Sequence, residues 1–187
     1  MKYRAYQIGI LLLSMFIFSS KINADDLNTG ISIASGHGDC SIIPIRVGLQ
    51  RDFGHKLRPE STFPLGGYWE GSLYYMHGKA AKNPGSHKSL FAAAAAGVLR
   101  FEKREKTCLG WPYLDAGIGL SLLSRKEIGG KQLGINFQFE DRVGLGIRFG
   151  ENRQYDLGYR LVHFSNASIA KHNSGINLHL LVFSYWF

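Results

Sequence analysis

Between Ile135 and Phe149 the sequence reads INFQFEDRVGLGIRF, and the fold turns on its alternation. One parity carries Ile135, Phe137, Phe139, Asp141, Val143, Leu145, Ile147 and Phe149. The other carries Asn136, Gln138, Glu140, Arg142, Gly144, Gly146 and Arg148. A period of two marks an extended strand with two chemically different faces. In a soluble sandwich the apolar face would meet a shared core and the polar face water. In a small membrane barrel the apolar face meets lipid, and the polar face fills a narrow lumen with paired charges.

Three features favour the barrel. Glu140 and Arg142 share the inward parity and can pair inside a lumen. Gly117, Gly119, Gly144, Gly146 and Gly158 crowd the inner face, where a tightly curved wall leaves little room. Leu181, Phe183, Tyr185 and Phe187 form an aromatic-rich outer parity on the last strand. The expectation is an all-β chain, an eight-stranded antiparallel up-and-down transmembrane β-barrel. Its strands run over 29–37, 42–53, 67–77, 89–102, 111–124, 132–149, 154–165 and 176–187. Ala92 to Ala96 has helical propensity, so a short helix is the alternative there. Lys82-Asn83-Pro84-Gly85 and Gly129-Gly130 carry turn chemistry.

Upstream, Lys2 and Arg4 precede an apolar run from Ile8 to Phe18, and Ile22-Asn23-Ala24 suits cleavage. Residues 1–24 are therefore expected to be a signal peptide, with one barrel domain over 25–187. Removing Lys2, Arg4 and Lys21 lowers the formal charge from +8 to +5. The remaining cations are scattered among turns, which argues against nucleic-acid binding. Cys40 and Cys108 fall at opposite ends of such a barrel, beyond disulfide reach. No Cys/His cluster has zinc-ligand spacing, and no metal or cofactor is expected. An even strand number puts both termini on one side, expected to be periplasmic in an outer membrane. The turn after Ser165 is then extracellular.

That rim holds the chemistry. His163 and Ser165 continue the apolar parity of Leu157, Tyr159 and Leu161, so imidazole and hydroxyl share the outer wall. Asn177 and His179 share the parity of Phe187. With Phe149 opposite Tyr155, Asp141 falls opposite His163; across the other edge Ser165 is expected near Asn177, and His163 near His179. Polar groups facing lipid are costly and mark function. A serine beside a histidine is the core of an activated nucleophile, with His163 as general base and Ser165 as nucleophile. Asn177 or Asp141 would orient the imidazole, and Asn166 could donate to an oxyanion.

With these residues the chain resembles the outer-membrane lipid A 3-O-deacylase family, the PagL-like esterases. The resemblance rests on Gly67-Tyr68-Trp69, Ala116 to Gly119, Phe139-Glu140-Asp141-Arg142 and His163 to Asn177. It implies hydrolysis of an ester-linked 3-O-acyl chain of lipid A in lipopolysaccharide, without a metal, at a site on the outer surface. It also implies supporting roles for His87 and Asn173. Two positions depart from the family pattern: Asn177 stands where members carry glutamate, and Ser168 where a glycine is usual. The alternatives are a structural or adhesive barrel that has lost activity, and a phospholipase-type acyl hydrolase. Lys82, Lys88, Arg125, Lys126 and Lys171 on the outer turns could meet lipid A phosphates.

Overall fold

The computed structural model describes residues 29–78 and 87–187. The expected signal peptide and the Lys82-Asn83-Pro84-Gly85 turn lie outside the described residues. Strands β1 (Thr29–Gly38), β2 (Ile43–Asp52), β3 (Leu65–His77), β4 (Ser89–Glu102) and β5 (Trp111–Leu123) are followed by a small hairpin. The hairpin consists of β6 (Glu127–Ile128) and β7 (Lys131–Gln132). Strands β8 (Phe137–Phe149), β9 (Tyr155–Ser165) and β10 (Ile176–Trp186) complete the chain. Eight strands close antiparallel in the order β1-β10-β9-β8-β5-β4-β3-β2. Closure pairs Gly30 with Trp186 and Gly38 with Leu178, leaving no open edge whose backbone groups would need water. Both described ends meet at one rim, where Thr29 N–H donates to Phe187 O.

The alternation sorts residues as expected. Ile33, Phe91, Ile118, Val143 and Leu181 are 60–63% exposed on the outer wall. So much exposed branched and aromatic surface suits hydrocarbon, not water. Inside, Glu70 is fully buried and bonded to Arg46, Arg142, Arg160 and Gln50, while Glu140 pairs with Arg142. Towards the rim where the termini meet, Arg100 bridges Asp115 and Asp156, and Trp186 Nε1 donates to Asp156. Glycines make room for this filling: a Cβ at Gly146 or Gly158 would lie 2.5 or 2.6 Å from the Tyr113 hydroxyl.

Two expectations are revised or resolved. The run Ala92–Ala96 is strand, paired to β3 and β5 along its length. A helix there would strip partners from both neighbours inside a closed wall. The strand expected from Gln132 to Phe149 is broken, because Gly134 at φ +76 turns the chain. Leu133 and Ile128 fold inward instead, joining Tyr74, Met76, Leu90, Phe164, Ile176 and Leu178 in an apolar plug. The lumen is therefore polar in one part and apolar beneath the 166–175 turn. Cys40 and Cys108 lie in turns at opposite ends, both free and exposed.

Candidate active site on the outer wall

Antiparallel register aligns one row of polar side chains across neighbouring strands. Asp141 on β8 is opposite His163 on β9, as the tight Gly150–Arg153 turn predicts, and His163 is opposite Asn177 on β10. His163 is exposed between buried Val162 and Phe164, so its imidazole points out of the cylinder. The imidazole Nδ1 lies 2.7 Å from Asn177 Oδ1. The row extends to Asp39 in the β1–β2 turn. Its Oδ2 accepts from both the backbone N–H and the side-chain amide of Asn177, each at 3.0 Å. Lys131 of the small hairpin reaches the same oxygen at 2.7 Å and the Gly175 carbonyl at 3.0 Å. Partial burial alone would raise the Asp39 carboxyl, but Lys131 and the two Asn177 donors outweigh it and hold it below the usual carboxylate range.

The β9–β10 register differs from expectation by two residues: Asn177, not His179, faces His163. The 166–175 turn explains the slip. Asn166 N–H donates to Asn173 Oδ1, which closes the loop, and Gly175 at φ +59 returns the chain to β10. His179 instead faces Leu161, stacks on His37 with ring centroids 4.8 Å apart, and meets the Tyr159 hydroxyl. A Cβ at Gly175 would sit 3.0 Å from His163 Cε1. Gly175→Ala is therefore expected to displace the imidazole and strain the backbone, lowering kcat at least about tenfold while the barrel stays folded. Turnover and gel mobility of the folded form check both halves.

Ser165 is half-buried on the same outer parity as His163, and its Oγ has no hydrogen bond among the described residues. Asn166 points inward and is fully buried, with Nδ2 donating to Leu133 O at 2.9 Å and His172 O at 2.8 Å. Both amide hydrogens are taken, so in this arrangement Asn166 fastens the 166–175 turn to the Leu133 segment of the apolar plug and has none left for an oxyanion. Parity is the physical reason: the residue after an outward serine faces in. Ala167 and Ser168 follow with φ +50 and +64, and their N–H groups are unpaired among the described residues. Asn173 is exposed, and because its Oδ1 faces the Asn166 N–H its amide hydrogens point elsewhere. Consecutive unpaired N–H groups in a turn of this kind are suited to an anion.

The remaining sequence candidates separate. Asp141 is exposed across from His163, yet Nδ1 bonds to Asn177 on the opposite edge. Asp141→Asn is therefore expected to change turnover no more than about threefold, in the range of an exposed charge; a steady-state assay decides. His87 stands away from the row, its ring against Arg125 and its backbone N–H on Glu127. Sequence reasoning missed Asp39 and Lys131, since their signal is only an acid and a lysine in separate turns. It also missed a shallow outer groove lined by Trp69, Ala95, Gly97, Ile118, Leu120 and Phe139. Phe139 is the register partner of Ser165, so this apolar surface begins beside the hydroxyl.

A family model described as lipid A 3-O-deacylase (PagL) matches residues 43–186. The chain belongs to the lipid A 3-O-deacylase family. A lipid A deacylase PagL of Pseudomonas aeruginosa is 31% identical over 153 residues, covering 82% of this chain and 83% of that protein. A lipid A deacylase PagL of Bordetella bronchiseptica is 37% identical over 75 residues, covering 40% of this chain and 41% of the relative. The crystal structure of the outer membrane enzyme PagL superposes with a TM-score of 0.75 at 28% identity, covering 83% of this chain and 98% of that one. Within the family frame, His163, Ser165, Asn173 and Asn177 fall inside the matched residues, whereas Asp39 precedes them. Ser168 adopts the left-handed backbone that favours glycine.

Proposed function

We propose that this chain is an outer-membrane esterase that removes the 3-O-linked acyl chain of lipid A by a serine–histidine mechanism. The observation that carries this is the His163 Nδ1 to Asn177 Oδ1 bond on the lipid-facing wall. With Oδ1 of Asn177 turned to the ring, Nδ1 carries the proton and Nε2 is left as the base, on the parity that also carries Ser165. Family membership supplies the substrate class.

In the proposed reaction Ser165 Oγ attacks the ester carbonyl carbon while His163 Nε2 takes its proton. The oxyanion meets the Ala167 and Ser168 N–H groups, with the Asn173 amide as a third donor. Collapse breaks the bond to the 3-oxygen of lipid A, which leaves with the proton from the imidazolium. Water, deprotonated by the same nitrogen, then attacks the acyl-serine carbonyl; collapse breaks the bond to Ser165 Oγ, which takes the proton back from the imidazolium, and frees the fatty acid. The groove from Phe139 to Trp69 would hold the acyl chain along the wall, where bilayer chains already run.

Mass spectrometry of lipid A from cells expressing wild type or Ser165→Ala tests this. Loss of one hydroxyacyl chain with wild type alone is the expected result. Unchanged lipid A in both would favour the structural barrel, and release from phospholipid at equal rate would favour the broader acyl hydrolase. For orientation, we propose the termini in the periplasm, after removal of residues 1–24, and the 166–175 turn outside. The two exposed cysteines report on it. An impermeant maleimide added to intact cells is expected to label Cys40 in a Cys108→Ser variant and to spare Cys108 in a Cys40→Ser variant; the reverse pattern inverts the barrel.

A further inference from the structure

Asn177 can present either end of its amide to the imidazole, and the two ends have opposite consequences. With Oδ1 inward, His163 carries its proton on Nδ1 and Nε2 is free as a base. With Nδ2 inward, the proton is driven to Nε2 and the base is lost. Nothing in the His163–Asn177 pair alone settles this. Asp39 does, because a carboxylate only accepts: its Oδ2 at 3.0 Å from Asn177 Nδ2 holds the amide hydrogens outward and so turns Oδ1 to His163. The Asn177 backbone N–H on the same oxygen pins the carboxylate against β10. Lys131, itself tied to the Gly175 carbonyl, keeps it there and anchors the β1–β2 turn to the far side of the site.

We propose that Asp39 is a positioning residue which replaces, one residue further from the imidazole, the carboxylate that Asn177 lacks; this rests on the deacylase function proposed above. The row His163–Asn177–Asp39 sets the tautomer through the asparagine and places a negative charge where it still favours imidazolium, at reduced strength because of the added distance. Lys131 offsets part of that charge, so orientation is the larger part of the effect. The charged groups facing this row are Asp141, from β8, and Lys131, from the hairpin.

The test uses the full-length barrel in detergent micelles with lipid A as substrate, and separates orientation from charge. Asp39→Asn keeps an acceptor for the Asn177 amide but loses the charge; Asp39→Ala loses both. Asp39→Ala is expected to lower kcat about tenfold with KM unchanged, and Asp39→Asn to fall between it and wild type. Asn177→Glu alone puts a second carboxylate against Asp39 and gains little, whereas Asn177→Glu with Asp39→Asn is expected to turn over faster than Asn177→Glu. Nitrogen-15 NMR of labelled histidine should show His163 protonated on Nδ1 in wild type and moving towards Nε2–H in Asp39→Ala. The proposal is overturned if kcat of Asp39→Ala stays within twofold of wild type, if KM changes instead, or if Asp39→Asn does not improve Asn177→Glu. Should wild type release no acyl chain from lipid A, the deacylase function fails. The tautomer comparison then decides the role of Asp39 by itself: an unchanged Nδ1–H form overturns it.

Discussion

Ser165→Ala is expected to reduce acyl release from lipid A by at least about 10³-fold while leaving the barrel folded. The substitution removes one hydroxyl from a half-buried position that makes no hydrogen bond among the described residues, so little stability is at stake. His163→Ala should cost a similar factor, and the double variant hardly more than either single one. A nucleophile and its base act as a unit, and once one is lost the other has no step to assist. Kinetics of fatty-acid release from micellar lipid A, with the heat-resistant gel mobility of the folded barrel as control, check this. Retention of a tenth of wild-type turnover by Ser165→Ala would identify another nucleophile.

The second large effect is on stability. Glu70 sits at the centre of the lumen, bonded to Arg46, Arg142, Arg160 and Gln50, and both it and Arg46 are wholly inaccessible. Glu70→Ala removes the shared counter-charge of three guanidinium groups that cannot reach solvent. Leaving buried charge uncompensated costs about 3–5 kcal/mol. The expected result is a clear drop in the urea midpoint of the micelle-bound barrel, and a midpoint equal to wild type would show that water enters the lumen freely. Glu70→Gln, which keeps acceptor geometry, should lose less. Glu140, bonded to Arg142 and to the Tyr74 hydroxyl, relieves Arg142 alone, so the deficit falls mainly on Arg46 and Arg160.

Much of this arrangement was legible in the residues. Strict alternation from Phe137 to Phe149 separates lipid-facing from lumen-facing side chains without any knowledge of neighbours, because strand geometry fixes the period at two. The same rule puts His163 and Ser165 on one face and foretells Asp141 opposite His163, since a short Gly-containing turn sets the register of a hairpin. It also implies that Asn166, next to an outward serine, faces inward, yet its residue type pointed to an oxyanion donor.

Local choices are written along the chain: which residues lie on strands, which face each side chain takes, and that an imidazole and a hydroxyl share the outer wall. Which acceptor the imidazole meets depends on how the strands pair around the closed wall. The long 166–175 turn allows several registers between β9 and β10, and its closure by Asn166 and Asn173 selects the one that sets Asn177 against His163. Asp39 arrives from 138 positions away through the closure of β1 on β10. That stagger is the sum of the offsets around eight strands, each set by its own turn, so no local pattern encodes it.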